Sequence, residues 1–217
     1  TFNFFSLKDE WSIGANLDLV SGVRYDNYSD FGDTINPSIA LEWYTSNILT
    51  TKLLYGSAFR APSFGELWLQ NTPGVVGNTN LAPETIDSYE LGLNSSPRHY
   101  LQTSFNLFTY HAKDLIELRP STGGNQTSNA RDQEGYGFEW GIKWKLNKQL
   151  RFNANLAWQR SHNSDTNNAT ADAPGRQFML NSYWKLAPQW LISSQVNWVG
   201  DRVRAASDLR DNIADYT

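Results

Sequence analysis

Residues 136–146 alternate without a break: Tyr136, Phe138, Trp140, Ile142, Trp144 and Leu146 are interleaved with Gly137, Glu139, Gly141, Lys143 and Lys145. Successive side chains of a strand point to opposite faces, so this run makes one face aromatic and apolar and the other small or charged. A helix would space its apolar residues three and four apart, which this segment does not do. The chain must therefore supply two environments to one strand, an apolar medium on one side and water on the other.

The same period recurs along the chain. Leu17, Leu19, Val23 and Tyr25 oppose Asp18, Gly22, Arg24 and Asp26, and Ile39, Leu41 and Trp43 oppose Ala40 and Glu42. Leu49, Thr51, Leu53, Tyr55 and Phe59 oppose Thr50, Lys52, Gly56 and Arg60; Leu101, Phe105 and Leu107 oppose Gln102, Ser104 and Asn106. Phe152, Ala154, Leu156 and Trp158 oppose Asn153, Asn155 and Gln159, and Trp190, Ile192, Val196 and Trp198 oppose Ser193, Gln195 and Asn197. These segments predict about ten complete strands, with a further one starting at Ile213.

No apolar run approaches the ~20 residues of a membrane helix, so a helical membrane protein is excluded. A transmembrane β-barrel is not, because its strands alternate lipid-facing and lumen-facing residues and average out as polar. Aromatics make up 14% of the 217 residues, against a single Met, and they run the whole length. There is no cysteine, which excludes disulfides and thiolate metal sites. A net charge of -4 gives no basic footprint for nucleic acid.

The links between strands alternate in length. Residues 14–16, 45–47, 95–98, 147–149 and 187–189 form short links, whereas residues 29–33, 61–84, 119–130, 161–174 and 205–212 are longer and rich in Gly, Asn, Ser, Thr and Asp. Outer-membrane barrels show this alternation of short periplasmic turns and longer extracellular loops. Tyr44, Tyr100, Trp144, Trp184 and Trp190 fall near the short links and Tyr25, Tyr28, Phe59, Tyr110, Tyr136 and Trp198 near the long ones, as two interfacial girdles would. The alternative is that aromatics favour strands of any kind. A soluble all-β adhesion or carbohydrate-binding protein would bury the same faces between two sheets.

The most distinctive wording lies in residues 54–93. FRAPS at residues 59–63, NTNLAPE at 78–84 and SYELGL at 88–93 closely resemble the TonB-dependent outer-membrane receptors, which import ferric siderophores, haem or cobalamin. FFSLKDEW at 4–11 and GVRYD at 22–26 are similar to the mid-barrel of that family, and APGRQFML at 173–180 and NWVGDR at 197–202 to strands nearer its C-terminal end. The resemblance implies an all-β, antiparallel transmembrane β-barrel of about 22 strands, of which residues 1–217 would form one partial barrel domain, with plug domain and closing strands elsewhere. It also implies residence in the bacterial outer membrane, in contact with its lipid. Import would be energised by the TonB protein through an added strand at an N-terminal segment outside these residues.

The family motif residues here are Phe59, Arg60, Ala61, Pro62, Asn78, Asn80, Leu81, Pro83 and Glu84. Arg60, Phe64, Glu66, Trp68, Gln70 and His111 are the candidate ligand contacts, since aromatic and hydrogen-bonding side chains in a long loop suit a bulky metal chelate. Arg60 and Lys52 would point inward, where positive charge favours anionic chelates. A salt bridge to the plug or the barrel wall is the competing role for Arg60. A haem-importing relative would carry a histidine between the two boxes; residues 64–77 have none, and Thr79 stands where the box has proline, which favours a ferric siderophore. His99 sits by a short link, and His111 and His162 near long ones. No catalytic or metal-site motif is present, so no enzyme and no cofactor is expected. A passive porin shares the alternation and the loops and remains the rival within the membrane.

Overall fold

The computed structural model describes residues 1–71, 73–122, 124–171 and 173–204. The strand expected from Ile213 and the link at 205–212 lie outside the described residues. Ten long strands follow one another: β1 (Phe2–Ile13), β2 (Leu17–Tyr28), β3 (Gly32–Ser46), β4 (Leu49–Arg60), β7 (Glu84–Arg98), β8 (Leu101–Ser121), β9 (Gly124–Lys145), β10 (Leu150–Asn163), β11 (Pro174–Ala187) and β12 (Trp190–Arg202). Between β4 and β7 lie a one-turn helix, α1 (Phe64–Trp68), and two short strands, β5 (Gln70–Asn71) and β6 (Val75–Val76). Every long strand pairs antiparallel with the next, giving an up-and-down meander in the order β1-β2-β3-β4-β7-β8-β9-β10-β11-β12.

The register keeps the two faces apart across the sheet. Leu19 pairs with Leu41, Leu41 with Leu53, Leu53 with Leu91, Leu91 with Leu107, Leu107 with Phe138, and Phe138 with Trp158. A slip of one residue in any pair would break this apolar row. The row leaves Leu53 49% and Leu107 42% exposed, which is the signature of a face meant for hydrocarbon. The opposite face is polar: Glu42 pairs with Lys52 at 3.1 Å, and the Asn106 amide donates to Glu90 at 3.1 Å. This is the inner face.

The links at 14–16, 47–48, 99–100, 146–149 and 188–189 gather at one end of the sheet and the longer ones at the other. Two long links prove different from expectation. Residues 29–31 make only a tight turn, and most of 119–130 is strand: Glu117 pairs with Ser128, Leu118 with Thr127 and Arg119 with Gln126. Both faces of that projecting hairpin lie beyond the apolar band, so its residues lack the alternation that marks the wall.

Two aromatics of the expected outer girdle belong to the inner face. Tyr110 lies across β9 over Gly135, its register partner, where a Cβ would overlap the ring. Its hydroxyl thereby donates to Ser161 on β10 at 3.0 Å and accepts from the Gln133 amide at 2.8 Å. Tyr28 stacks on Phe2, centroid to centroid 4.4 Å.

Candidate functional site

The excursion at residues 61–83 is a built structure rather than an open loop. Ser63 caps α1: its hydroxyl accepts from the Glu66 amide at 3.3 Å, and the Glu66 carboxylate accepts from the Ser63 amide at 2.7 Å. This reciprocal capping box satisfies donors that a helix start leaves free. The Ser63-x-x-Glu66 spacing is visible in the sequence and is the signal that the expectation of a plain loop overlooked.

Glu66 then continues outward to Arg60. Arg60 donates from Nη1 and Nη2 to Glu66 at 3.0 and 3.1 Å, and from Nε and Nη2 to Glu84 at 2.7 Å each. Arg60 and Glu84 are direct register partners, the last residue of β4 and the first of β7, so the strand ends themselves set this geometry. Glu84 accepts a further bond from the Ile116 amide at 2.7 Å. The forked guanidinium suits two carboxylates at once. Hydrogen bonding from Arg60 holds both carboxyls below the usual carboxylate range.

The rest of the loop is stapled across β8 and β9. Its Glu66 carbonyl accepts from the Asn78 amide at 2.8 Å and from the Thr127 hydroxyl at 2.7 Å. The Asn129 side chain accepts from the Ala82 amide at 2.9 Å and donates back to the Ala82 carbonyl at 3.0 Å. β6 runs parallel to β9, with Val75 opposite Asn125 and Val76 opposite Gln126. Gly77 passes so close to α1 that a Cβ would sit 2.7 Å from the Leu67 carbonyl. Leu67 (4% exposed), Leu81 (2%) and Ala112 (6%) are the buried apolar side chains of this region, and Pro62 is buried too.

The motif residues thus divide by role. Arg60 and Glu84 form the ion pair, Pro62 and Leu81 fill the loop's interior, and the Asn78 side chain accepts from the Asn80 amide at 2.9 Å to shape the turn. Ala61 and Pro83 are half-buried at the two ends of the excursion, and Phe59 is half-buried at the top of β4.

Of the candidate contacts, Phe64 is 80% exposed and Trp68 49% exposed, four residues apart on α1 and so on one side of it. Gln70 is exposed in β5 beside them in sequence. Arg60 and Glu66 lie beneath, engaged with each other. His111 stands apart, on the face opposite Arg60: it pairs with Asp87 and Glu134, and its Nε2 lies 4.0 Å from the Glu134 carboxylate. His162 approaches the same carboxylate at 3.9 Å. Thr127 and Asn129 carry no local signal in the sequence, because they act on residues 61 and 47 positions away.

Comparison with known proteins places this architecture. The family model described as "TonB dependent receptor-like, beta-barrel" matches residues 1–217. The iron-regulated outer membrane virulence protein of Vibrio cholerae is 24% identical over 219 residues, covering 91% of this chain and 34% of that protein. The hemin receptor of Yersinia pestis is 28% identical over 189 residues, covering 74% of this chain and 28% of that protein. An arginine-to-alanine mutant of the ferric enterobactin receptor PfeA from Pseudomonas aeruginosa, in complex with enterobactin, superposes with a TM-score of 0.83 at 22% identity, over 99% of this chain and 36% of that one. The chain spans about a third of the length of these relatives. Its apolar face is the face that an outer-membrane barrel turns to lipid. The chain belongs to the TonB-dependent receptor family and forms part of its outer-membrane β-barrel.

Proposed function

We propose that this chain is part of the barrel domain of an outer-membrane receptor that captures a metal chelate, a ferric siderophore, and imports it by TonB-coupled gating. The observation that carries the reading is the loop at 61–83. Arg60, Glu66 and Glu84 lock its base, Leu67 and Leu81 fill its interior, and Phe64 and Trp68 are left exposed. A loop that is rigid yet keeps two large rings in water meets the requirement for a preorganised contact surface, because little ordering remains to be done on binding. Phe64 and Trp68 offer ring faces to a bulky chelate, and Gln70 offers hydrogen bonds. Arg60 supports this surface from beneath.

The protein's own groups do no chemistry on the metal in this scheme. They bind and orient the chelate at the mouth; the plug and the coupling segment, which the reading assigns to other parts of the protein, would complete transport. The test is uptake of radiolabelled ligand by iron-starved cells expressing the full receptor, with an iron(III) catecholate and haem carrying labelled iron and cobalamin carrying labelled cobalt offered separately, in the presence and absence of TonB. TonB-dependent uptake of the catecholate, reduced by Phe64→Ala with Trp68→Ala, is expected. Uptake that persists without TonB would establish a passive channel instead, and TonB-dependent uptake of haem or cobalamin alone would displace the siderophore.

A further inference from the structure

The outward face changes character at the mouth end of β9, β10 and β11. Trp158 pairs with Phe138 on one side and Arg176 on the other, and Arg160 pairs with Tyr136. Tyr136, Trp158, Arg160 and Arg176 therefore share the face that carries Leu53, Leu91 and Leu107, and His162, opposite Glu134, follows on the same face. β9, β10 and β11 each have a neighbour on both sides, so none of the three is an edge strand. Toward the mouth, the outward positions of β1, β2, β3, β4 and β7 carry no Lys or Arg, so the basic character is confined to one sector of the wall.

Arg160 stands two residues mouthward of Trp158, whose partner is Arg176, so the two arginines are diagonal neighbours on adjacent strands. Long side chains so placed reach one another, and two like charges there repel unless an anion lies between them. The carboxylates nearby are committed elsewhere. Glu134 lies between His111 and His162, at 4.0 and 3.9 Å, and Asp201 faces the Arg176 Nε at 2.8 Å. Arg160 is exposed and makes no hydrogen bond or ion pair among the described residues. Two grooves meet at this point. One, of about 750 Å³, is apolar and is lined by Leu53, Leu91, Leu107, Phe138, Tyr136 and Trp158. The other, of about 640 Å³, lies where β10 and β11 part beyond the Trp158–Arg176 pair, with Arg160, His162 and Arg176 along it. Tyr136 and Trp158 line both grooves, their rings edge to face at 5.8 Å.

We infer that Arg160 and Arg176 hold the phosphate of an acylated lipid of the outer leaflet on the outside of the barrel, with one acyl chain lying along the leucine groove and Tyr136 and Trp158 at the junction of chain and head. The guanidinium fork matches phosphate oxygens, and basic groups beside a bilayer draw anionic lipid to them. The basic groove is continuous with the face that the barrel turns to lipid, so its occupant comes from the membrane rather than from solution. The site lies across the wall from Arg60, and it stands or falls independently of what the receptor imports.

The test uses the full receptor, stripped of lipid in a neutral detergent, with native mass spectrometry reading the lipid it retains. Three probes are offered: phosphatidic acid, phosphatidylcholine with the same chains, and glycerol 3-phosphate, which carries the phosphate without the chains. Wild type should retain phosphatidic acid in preference to phosphatidylcholine, and an excess of glycerol 3-phosphate should not displace it. Arg160→Gln and Arg176→Gln should each weaken retention by about 10-fold, the range expected for one charge-assisted contact. Lys143→Gln, which removes a charge from the inner face, should leave it unchanged. Heat-modifiable migration on gels checks that each variant is folded, and the two arginines, being on different strands, provide independent variants. The inference is overturned if wild type does not distinguish the two lipids, or if both arginine variants retain phosphatidic acid as wild type does. A loss matched by Lys143→Gln would reduce the effect to overall charge, and displacement by glycerol 3-phosphate would make the site one for soluble phosphate; either result also overturns it. So does a change in oligomeric state with lipid retention unaltered, which would make this face a contact between proteins.

Discussion

Replacing Arg60 by alanine removes four hydrogen bonds, of 2.7, 2.7, 3.0 and 3.1 Å, that tie the end of β4 to Glu84 and to the first turn of α1. Fully exposed ion pairs contribute about 0–1 kcal/mol, and breaking a buried one costs about 3–5 kcal/mol. This site lies between: the Arg60 side chain is 46% exposed, Glu66 23% and Glu84 15%. A local cost of about 2 kcal/mol follows, tempered by the amide bonds that Ile116 and Ser63 continue to donate to the two carboxylates. Because the loop can open while the wall ladder stays paired, the cost should appear as local opening, about 30-fold more frequent. Amide hydrogen exchange of the full receptor in detergent reads this directly. The Leu67, Gly77 and Asn78 amides, bonded to Ser63, Leu69 and Glu66, should exchange about 30-fold faster, and those of the β4–β7 ladder should not change. Loop amides that exchange at the wild-type rate would refute the assignment of Arg60 as the lock, as would an acceleration shared equally by the wall.

Three further outcomes follow from the same geometry. Arg60 depresses the carboxyl pKa values of Glu66 and Glu84, so their pairing stabilises the loop above the unfolded carboxylate value of about 4.3; that contribution is lost as pH falls through the lower folded values, and the protection of the loop amides, corrected for the intrinsic pH dependence of exchange, should hold steady down to the ordinary carboxylate range before falling in acid. Gly135→Ala should cost about 1–3 kcal/mol by driving a methyl group into the Tyr110 ring, and in urea titration of the receptor the added cost should largely vanish when Tyr110→Ala is already present. Leu91→Arg, in the middle of the outward apolar row, should destabilise the receptor in lipid vesicles by about 2–4 kcal/mol, whereas Gly92→Ser on the inner face should change little; equal effects would mean that the two faces are assigned the wrong way round.

The wall was legible in the sequence because its code is local. Whether Trp140 or Glu139 faces lipid is settled by its immediate neighbours, and Leu53, Leu91 and Leu107 must align once each strand has chosen its faces. Beyond the apolar band, where neither face meets lipid, that code lapses. Residues 119–130 therefore read as a loop although most of them continue β8 and β9. Tyr110 read as a girdle residue because its partner, Gly135, gives it room only through a pairing that no local pattern announces. In the loop, the Ser63-x-x-Glu66 box was present to be read, but the anchors Thr127 and Asn129 act across the hairpin and leave no trace near residues 61–83.

The packing also bears on where selectivity can reside. A wall with lipid on one side and a lumen on the other cannot close a core of its own, and its outward leucines are accordingly half-exposed. Leu67 and Leu81 are buried where the excursion at 61–83 folds back over β8 and β9. The residues expected as family motif, Arg60, Pro62, Asn78, Leu81 and Glu84, make or fill that fold. They hold the platform, and the side chains projecting from it, Phe64, Trp68 and Gln70, are under no such packing constraint. Exchanging those three can retune the ligand without loosening the loop, while exchanging a motif residue loosens the loop whatever the ligand. If a chelate binds as proposed, its binding should follow Phe64 and Trp68 in specificity and Arg60 and Leu81 in overall strength, a division that a comparison of several chelates on the corresponding alanine variants separates.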